Sequence, residues 1–169
     1  MMYETDRLVI RSFRLDDAAF IVRLLNEESF IRNIADKNVR TKADAMNYLT
    51  NGPMLSYQEN GFGLNLVQLK ESATPIGVCG LVKRKELDHP DLGYAFLPEF
   101  WGKGYAREAA SSVLREEVVA SSINTVLAIT FPDNLSSNNL LKKVGFMLTG
   151  KMELYGLQNN LYEYCPPNG

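Results

Sequence analysis

Residues 93–110 read GYAFLPEFWGKGYAREAA, an apolar strand that leads through two glycines into an alanine-rich helix. Gly102 and Gly104 have no Cβ, so the backbone there can turn sharply and come close to a ligand. The first turn of the following helix leaves N–H groups unpaired and carries the positive end of the helix dipole. Together these features predict an anion site, with a diphosphate as its natural occupant.

A glycine-x-glycine turn before a helix is weak support for ligand binding, because a tight strand-to-helix connection uses the same residues. The dinucleotide-binding fingerprint requires a third glycine where Arg107 stands, and no early βαβ unit precedes the turn. The P-loop string Gly-x-x-x-x-Gly-Lys-Ser/Thr does not occur. The turn by itself therefore leaves a purely structural connection and a nucleotide site open as alternatives.

The rest of the chain is predicted to add strands and helices around one central sheet. Alternating apolar residues predict strands at 7–14, 62–69, 76–87, 91–96, 125–130, 146–154 and 161–164. Helices are predicted after Asp16, from 41 to 49 with a break at 51–53, and over 104–120 and 134–144. The order β-α-α-β-β-β-α-β-α-β-β indicates an α/β (α+β) fold, with a mixed sheet and helices on its faces.

Length and composition are those of one folded domain spanning residues 1–169. Hydrophobic residues make up 46% of the chain and charged residues 22%, which is ordinary for a globular domain and excludes a disordered chain. The formal net charge is 18 − 20 = −2, which argues against nucleic acid as the main partner. No apolar run approaches the roughly 18 residues of a membrane span, and no secretory signal is present, so we expect a cytoplasmic protein without membrane contact.

Cysteine and histidine usage indicates neither a disulfide framework nor a metal centre. Cys79 and Cys165 are far apart in the chain, and His89 is the single histidine. Zinc sites need closely spaced Cys and His ligands, which the sequence does not supply. We therefore expect no bound metal.

Three segments together resemble a known family. The string Trp101-Gly-Lys-Gly104-Tyr-Ala106 resembles the acyl-CoA-binding loop Gln/Arg-x-x-Gly-x-Gly/Ala of the GCN5-related N-acetyltransferase (GNAT) superfamily. Trp101 replaces the usual Gln or Arg, as in the branch that resembles the ribosomal-protein N-terminal acetyltransferases. Residues 134–146, NLSSNNLLKKVGF, are similar to that branch's Asn-x-x-Ser…Leu-x-Lys-x-Gly-Phe motif, and residues 4–11, ETDRLVIR, to its first strand.

The resemblance covers nearly the whole chain and implies both a fold and a cofactor site. The fold is the acyl-CoA N-acyltransferase fold, a bent mixed sheet whose central strands splay apart around acetyl-CoA. The strand ending at Phe96 and Leu97 is expected to bind the pantetheine and to direct one N–H at the thioester carbonyl, where it would stabilise the developing oxyanion. The pyrophosphate is expected at the main chain of Gly102 to Ala106. The full set of expected cofactor-binding residues is Phe96, Leu97, Trp101, Gly102, Lys103, Gly104, Tyr105, Ala106, Asn134, Ser137 and Asn138.

Direct attack of an amine on a thioester needs a proton acceptor for the amine and a proton donor for the departing thiolate. Many family members carry a tyrosine where Leu141 stands, so the resemblance makes Ser137 the expected donor. The alternative is that Ser137 only bonds local backbone in the first helical turn. Asn134 is expected to contact the pantetheine amides, to cap the helix, or to do both.

The resemblance makes Asp91 the expected catalytic base, because along Asp-Leu-Gly-Tyr it lies near the start of the strand facing the splay, close to where some family members carry a catalytic carboxylate. Its alternative interpretation is a solvated charge at a strand end. Glu99 and His89 are weaker candidates, more typical of a solvated loop charge and of a turn residue. Trp101 and Phe100 either line the acyl-CoA cleft or, as we favour, pack the cofactor helix against the sheet.

The sequence therefore predicts an N-acetyltransferase that moves an acetyl group from acetyl-CoA to a primary amine within a ternary complex. The acceptor, a protein N terminus or a small amine, is not identified, and both a monomer and a homodimer are compatible with the family. Two alternatives come from other classes: a non-catalytic acyl-CoA-binding or interaction module on the same fold, and a nucleotide-binding protein that uses the same glycine turn.

Overall fold

The computed structural model describes residues 2–164, which form one eight-stranded sheet flanked by helices. The strands are β1 (Met2–Glu4), β2 (Leu8–Ser12), β3 (Leu64–Leu69), β4 (Pro75–Val82), β5 (Asp91–Phe96), β6 (Val126–Thr130), β7 (Met147–Leu154) and β8 (Leu157–Tyr164). The helices are α1 (Ala18–Leu25), α2 (Glu28–Asn33), α3 (Lys42–Asn51), α4 (Pro53–Asn60), α5 (Tyr105–Ala120) and α6 (Leu135–Lys143). Cys165, considered above, lies outside the described residues.

The sheet is mixed, with strand order β1-β2-β3-β4-β5-β6-β8-β7. Every neighbouring pair is antiparallel except β5 and β6, which run parallel. One hydrophobic core joins the sheet to α5 and α6, and a second joins its opposite face to α1 and α3. The structure thus confirms a mixed sheet with helices on both faces.

Local sequence explains where the helices on the second face begin and end. The Thr41 hydroxyl accepts the Asp44 amide at 3.1 Å, and the Asp44 carboxylate accepts the Thr41 amide at 3.2 Å, so a capping box starts α3. The predicted break falls at Gly52, but Pro53 then starts α4 because proline is well suited to the first helical position. The segment is therefore two consecutive helices, where the sequence analysis predicted one.

Two strands have boundaries that differ from the predicted ones, according to whether a neighbouring strand is present to pair with them. β4 ends at Val82 because β5 begins opposite it at Asp91, which leaves the later residues without a partner strand. β8 begins at Leu157 because Tyr155 and Gly156 (φ 53° and 78°) form the tight two-residue turn of a hairpin. β1 and α2 are additional short elements. Within residues 2–164, no helix has the length and apolar character needed to cross a membrane.

Candidate functional site

The parallel strands β5 and β6 meet at one end and separate toward the other. Asp91 is in register with Leu127, and the Leu127 amide donates to the Pro90 carbonyl at 2.8 Å. Over the described part of the chain this is the pair's one register match. The sheet therefore has a wedge-shaped gap that widens toward Phe96 and Thr130. The family resemblance predicts that the thioester lies in this gap.

The pairing of β5 with β4 shows which main-chain groups of β5 point toward the gap. The Leu97 amide donates to the Ile76 carbonyl at 2.9 Å, so Leu97 directs its backbone toward β4. Because backbone direction alternates along a strand, Tyr94 and Phe96 direct their N–H and C=O groups toward the gap. The Trp101 indole N–H donates to the Phe96 carbonyl at 2.9 Å. Of the two residues expected to bind the pantetheine, only Phe96 thus has its main chain on the gap; the Leu97 amide is on the opposite edge.

The glycine turn after β5 has the conformation that its sequence predicts. Gly102 (φ 76°) and Gly104 (φ 83°) are both left-handed, a conformation that favours glycine. Gly104 precedes the 16-residue helix α5 and supplies no side-chain cap, so no cap occupies the amides of Tyr105 and Ala106. The side chain of Lys103 is exposed. The turn therefore presents uncapped amides at the positive end of a long helix.

The two aromatic residues before the turn have different environments. Phe100 is partly buried against both cores and contacts Tyr105 edge-on, with ring centroids 6.4 Å apart. Trp101 is 52% exposed and makes its indole hydrogen bond to β5. The favoured packing role is therefore observed for Phe100, whereas Trp101 lies at the surface beside the glycine turn.

A hydrogen-bonded pair of hydroxyls lies at the start of α6. The Ser137 Oγ and the Tyr94 phenol are hydrogen-bonded to each other. The Ser137 amide donates to Asn134 Oδ1 at 3.3 Å, so Asn134 caps α6. Burial raises the pKa of the Tyr94 phenol, which keeps it protonated at physiological pH. Leu141 is fully buried.

The side chain of Asn138, one of the residues expected to bind the cofactor, makes its hydrogen bonds within the protein. The side chain is 7% exposed, and its Nδ2 donates to two main-chain carbonyls of the loop before α6. Its Oδ1 accepts hydrogen bonds from Thr130, Asn160 and Tyr162 at 2.5, 3.2 and 2.8 Å. An amide with these five partners has no remaining capacity for a ligand. Asn138 anchors α6 to β6 and β8 and thereby fixes the position of Ser137.

Asp91 is a buried ion-paired residue, so the alternative of a solvated strand-end charge is wrong. Its side chain is 1% exposed, and Arg84 Nε lies 2.9 Å from Oδ1. Burial raises the pKa of Asp91, and the neighbouring Arg84 offsets this only in part. Arg84 Nη1 is also 3.5 Å from the hydroxyl of Tyr155, which donates to Glu86 at 3.2 Å.

The two expected catalytic residues lie on opposite faces of the sheet. Asp91 and Tyr94 are three positions apart on β5, so their side chains project to different sides. Tyr94 and its partner Ser137 are on the α5 and α6 side, which places Asp91 on the side of α1 and α3. The structure therefore does not bring Asp91 and Ser137 into contact: Asp91 lies at the end where β5 and β6 pair, and Ser137 lies on the opposite face of the sheet.

The weaker candidate bases have surface environments. Glu99 forms an ion pair with Arg23 at 2.6 Å, and both side chains are about half exposed. His89 is exposed in the loop between β4 and β5. In residues 2–164 no group of three or more His, Cys, Asp or Glu side chains is arranged to hold a metal ion.

Sequence reasoning missed Tyr94 and Arg84 as members of the site. Tyr94 is 43 positions from Ser137, and no spacing rule connects a strand residue to a helix that far along the chain. Arg84 was assigned to a strand that in the structure ends at Val82. The sequence did offer one indication for Arg84. A buried carboxylate requires a cationic or hydrogen-bonding partner, so a cationic residue close to Asp91 in the chain is a candidate partner.

Comparison with known sequences agrees with the geometry. A family model described as the acetyltransferase (GNAT) domain matches residues 7–147. An uncharacterized N-acetyltransferase of Bacillus subtilis (strain 168), YoaA, is 28% identical over 172 residues, covering 97% of this chain and 96% of that protein.

Two solved structures share the fold at low sequence identity. RimL, a ribosomal L7/L12 alpha-N-protein acetyltransferase solved in complex with coenzyme A, has a TM-score of 0.85 at 16% identity, covering 98% of each chain. The microcin C7 self immunity acetyltransferase MccE, solved with acetyl-CoA and AMP, has a TM-score of 0.81 at 21% identity, covering 96% of this chain and 94% of that one. These similarities confirm the predicted acyl-CoA N-acyltransferase fold. Because the family model spans most of the chain, from Arg7 to Met147, this protein belongs to the GNAT family and is an acetyl-CoA-dependent acetyltransferase.

Proposed function

We propose that this protein transfers the acetyl group of acetyl-CoA directly to a primary amine, with both substrates bound together at the gap between β5 and β6. One observation carries the proposal: the uncapped start of α5, formed by two left-handed glycines, directly follows the β5 edge that faces the gap. The diphosphate and the thioester arm of one cofactor can therefore be bound by consecutive parts of the chain.

The donor is held mainly by main-chain groups in this proposal. The amides from Gly102 to Ala106 bind the diphosphate, where the helix dipole favours negative charge. The pantetheine extends along β5, hydrogen-bonded to the main chain of Tyr94 and Phe96. One N–H of this edge then points at the thioester carbonyl and stabilises the negative charge that develops there. Coenzyme A and acetyl-CoA in the complexes of RimL and MccE support this choice of donor.

The chemistry is a direct acyl transfer. The amine nitrogen attacks the carbonyl carbon, a C–N bond forms, and the C–S bond breaks. Asp91 accepts the amine proton, directly or through one water molecule, and its raised pKa makes it a better proton acceptor than an exposed carboxylate. Ser137 donates a proton to the departing sulfur and regains one from solvent, and its hydrogen bond with Tyr94 orients the hydroxyl.

The faces on which Asp91 and Ser137 lie determine the side from which the amine approaches the thioester. Asp91 lies on the α1 and α3 side of β5, and Ser137 lies on the α5 and α6 side. A thioester in the gap is therefore approached by the amine from the Asp91 face, while its sulfur faces Ser137. Protein N termini and small amines are both candidate acceptors, as the names of RimL and of the spermidine N-acetyltransferase SpeG illustrate for those proteins.

A thiol-release assay tests the proposal. Acetyl-CoA is incubated with peptides, polyamines, aminoglycosides and amino acids, and free coenzyme A is measured together with the acetylated product by mass spectrometry. We expect release of coenzyme A in proportion to amide formation with at least one amine class. Tight calorimetric binding of acetyl-CoA without transfer to any amine class would instead support a non-catalytic acyl-CoA-binding module. Preferential binding of NAD or ATP over coenzyme A would contradict the donor site itself.

A further inference from the structure

We propose that Arg7 is a positioning residue for the diphosphate-binding turn, holding it in shape through Glu108 and the main chain of Lys103. This inference rests on the proposed binding of the acyl donor at that turn. It assigns a role to the conspicuous segment at residues 4–11, which the site described above does not use.

Arg7 contacts the turn at three points around Gly104. Its Nη1 donates to the Lys103 carbonyl at 3.0 Å, and its guanidinium carbon lies 4.4 Å from the centre of the Tyr105 ring. Its Nε forms an ion pair with Glu108 Oε1 at 2.8 Å, one helical turn into α5. One side chain from the link between β1 and β2 therefore bridges both sides of the glycine and the helix that follows it.

Glu108 is itself held in place by the same link. Its Oε2 accepts the Arg7 amide at 3.0 Å and the Thr5 hydroxyl at 2.5 Å, and the Thr5 hydroxyl accepts the Leu8 amide at 3.0 Å. Partial burial opposes ionisation of Glu108, but the hydrogen bonds from Thr5 and Arg7 outweigh it and hold the pKa of Glu108 below its usual range. The carboxylate is thus charged and fixed when it pairs with Arg7.

The contact with Lys103 has a geometric consequence for the anion site. A trans peptide bond points its C=O and its N–H in opposite directions, so fixing the Lys103 carbonyl against Arg7 fixes the Gly104 N–H away from Arg7. Without such a contact the two glycines would leave the turn free to adopt many conformations, because glycine has no Cβ to restrict its backbone. Holding the amides in place before the donor arrives lowers the entropy cost of binding.

The experiment compares binding of coenzyme A with thermal stability in a set of full-length variants. Arg7→Ala removes the guanidinium, and Arg7→Lys keeps the charge but loses the planar fork that reaches Lys103 and Glu108 together. Glu108→Gln removes the charge of the partner. Arg32→Ala is the matched control, since Arg32 forms an exposed ion pair with Glu28 on α2.

We expect the calorimetric Kd for coenzyme A to rise about tenfold in Arg7→Ala and in Arg7→Lys, the size of effect that charge-assisted hydrogen bonds produce. The Kd should also rise in Glu108→Gln and stay unchanged in Arg32→Ala. A merely structural role would lower Tm and leave the Kd of the folded protein unchanged, and that result would overturn the inference.

Gly104→Val distinguishes a failure of the proposed diphosphate site from a failure of the proposed role of Arg7. If Gly104→Val weakens binding of coenzyme A and the Arg7 variants do not, the diphosphate site stands and the role of Arg7 is wrong. If neither Gly104→Val nor the Arg7 variants change the Kd, the site proposed for the diphosphate is wrong, and the inference is overturned with it.

Discussion

The phenol of Tyr94 on β5 is hydrogen-bonded to the hydroxyl of Ser137 at the start of α6. This bond joins the strand on one side of the gap to the helix that follows the strand on the other side. Two hydroxyl groups therefore lie together where the proposed reaction needs a proton for a departing thiolate. Leu141, where many family members carry a tyrosine, is fully buried.

Replacing Ser137 by alanine should lower kcat about 100-fold and leave the KM for acetyl-CoA nearly unchanged. The reason is that a general acid acts on the transition state and contributes little to ground-state binding. Tyr94→Phe should lower kcat less, because Ser137 remains to donate. Steady-state kinetics with the amine acceptor in excess measure both effects.

The matched control for this prediction is Ser136→Ala, because Ser136 is an exposed serine on the same helix. It should leave kcat and KM unchanged. A Ser137→Ala variant with the kcat of the parent protein would remove Ser137 from the mechanism and leave it as a residue of the capped first turn.

Replacing Gly104 by valine should raise the KM for acetyl-CoA at least about tenfold. A β-branched residue is strained by about 1–2 kcal/mol at a left-handed backbone position, so the turn would change shape and its amides would move away from the diphosphate. The added Cβ would also lie 3.4 Å from Arg7 Nη2. Initial rates measured over a range of acetyl-CoA concentrations test this.

Gly61→Val provides a control with the same backbone strain at another site. Gly61 has φ 77°, ends α4, and has open space around its Cβ position. This variant should lose stability to a similar degree and keep the KM for acetyl-CoA. An equal rise of KM in both variants would show that general destabilisation causes the effect.

The sequence predicted the elements of this site that depend on local backbone. The glycine turn, the start of α5 and the Asn134 cap of α6 are set by residues within a few positions of one another, and the structure has all three. The order of strands and helices also limited the possible folds, because a strand–helix–strand unit such as β5–α5–β6 allows a parallel pair within an otherwise antiparallel sheet.

What the sequence did not reveal are contacts between distant segments. The pairing of Asp91 with Arg84 depends on a loop that was assigned to a strand, and the use of Asn138 depends on β8 passing beside β6. Hydrogen-bond saturation of a side chain is a property of three-dimensional packing. For this reason the sequence did not reveal that the side chain of Asn138 anchors α6 to β6 and β8.

Asp91→Asn should reduce both activity and stability, and a second substitution should separate the two effects. Removing one partner of a buried ion pair leaves an uncompensated charge on Arg84, at a cost of about 3 kcal/mol. In the double variant Asp91→Asn, Arg84→Met the unpaired charge is absent, so the free energy of unfolding should recover much of that loss. Urea unfolding measures the stability of each variant.

Activity in the same variants tests the proposed base. Both Asp91→Asn and the double variant should have kcat at least about tenfold below the parent protein, measured at a temperature where all are folded. If the double variant regained full activity together with its stability, Asp91 would be a structural residue and the base would have to be another group or a water molecule.

The stability of the protein should fall as the pH rises from about 4.5 to about 7, because of Glu117. This residue of α5 is fully buried, and its Oε2 accepts hydrogen bonds from Tyr3 at 3.0 Å and Asn65 at 3.1 Å. Its Oε1 has no hydrogen-bond partner among residues 2–164. Burial raises the pKa of Glu117 to about 7, so the folded protein keeps a proton that the unfolded chain releases near pH 4.5.

Between these two pH values the folded state binds the extra proton, so the free energy of unfolding decreases by about 1.4 kcal/mol per pH unit and levels off above pH 7. Glu117→Gln should remove most of this decrease, leaving the contribution of Asp91, whose pKa burial also raises, and should make the protein more stable than the parent at pH 8. Glu116→Gln, at the exposed neighbouring position, should keep it. Urea unfolding at pH 5 and pH 8 gives the comparison, and an unchanged pH dependence in Glu117→Gln would assign the decrease to another group.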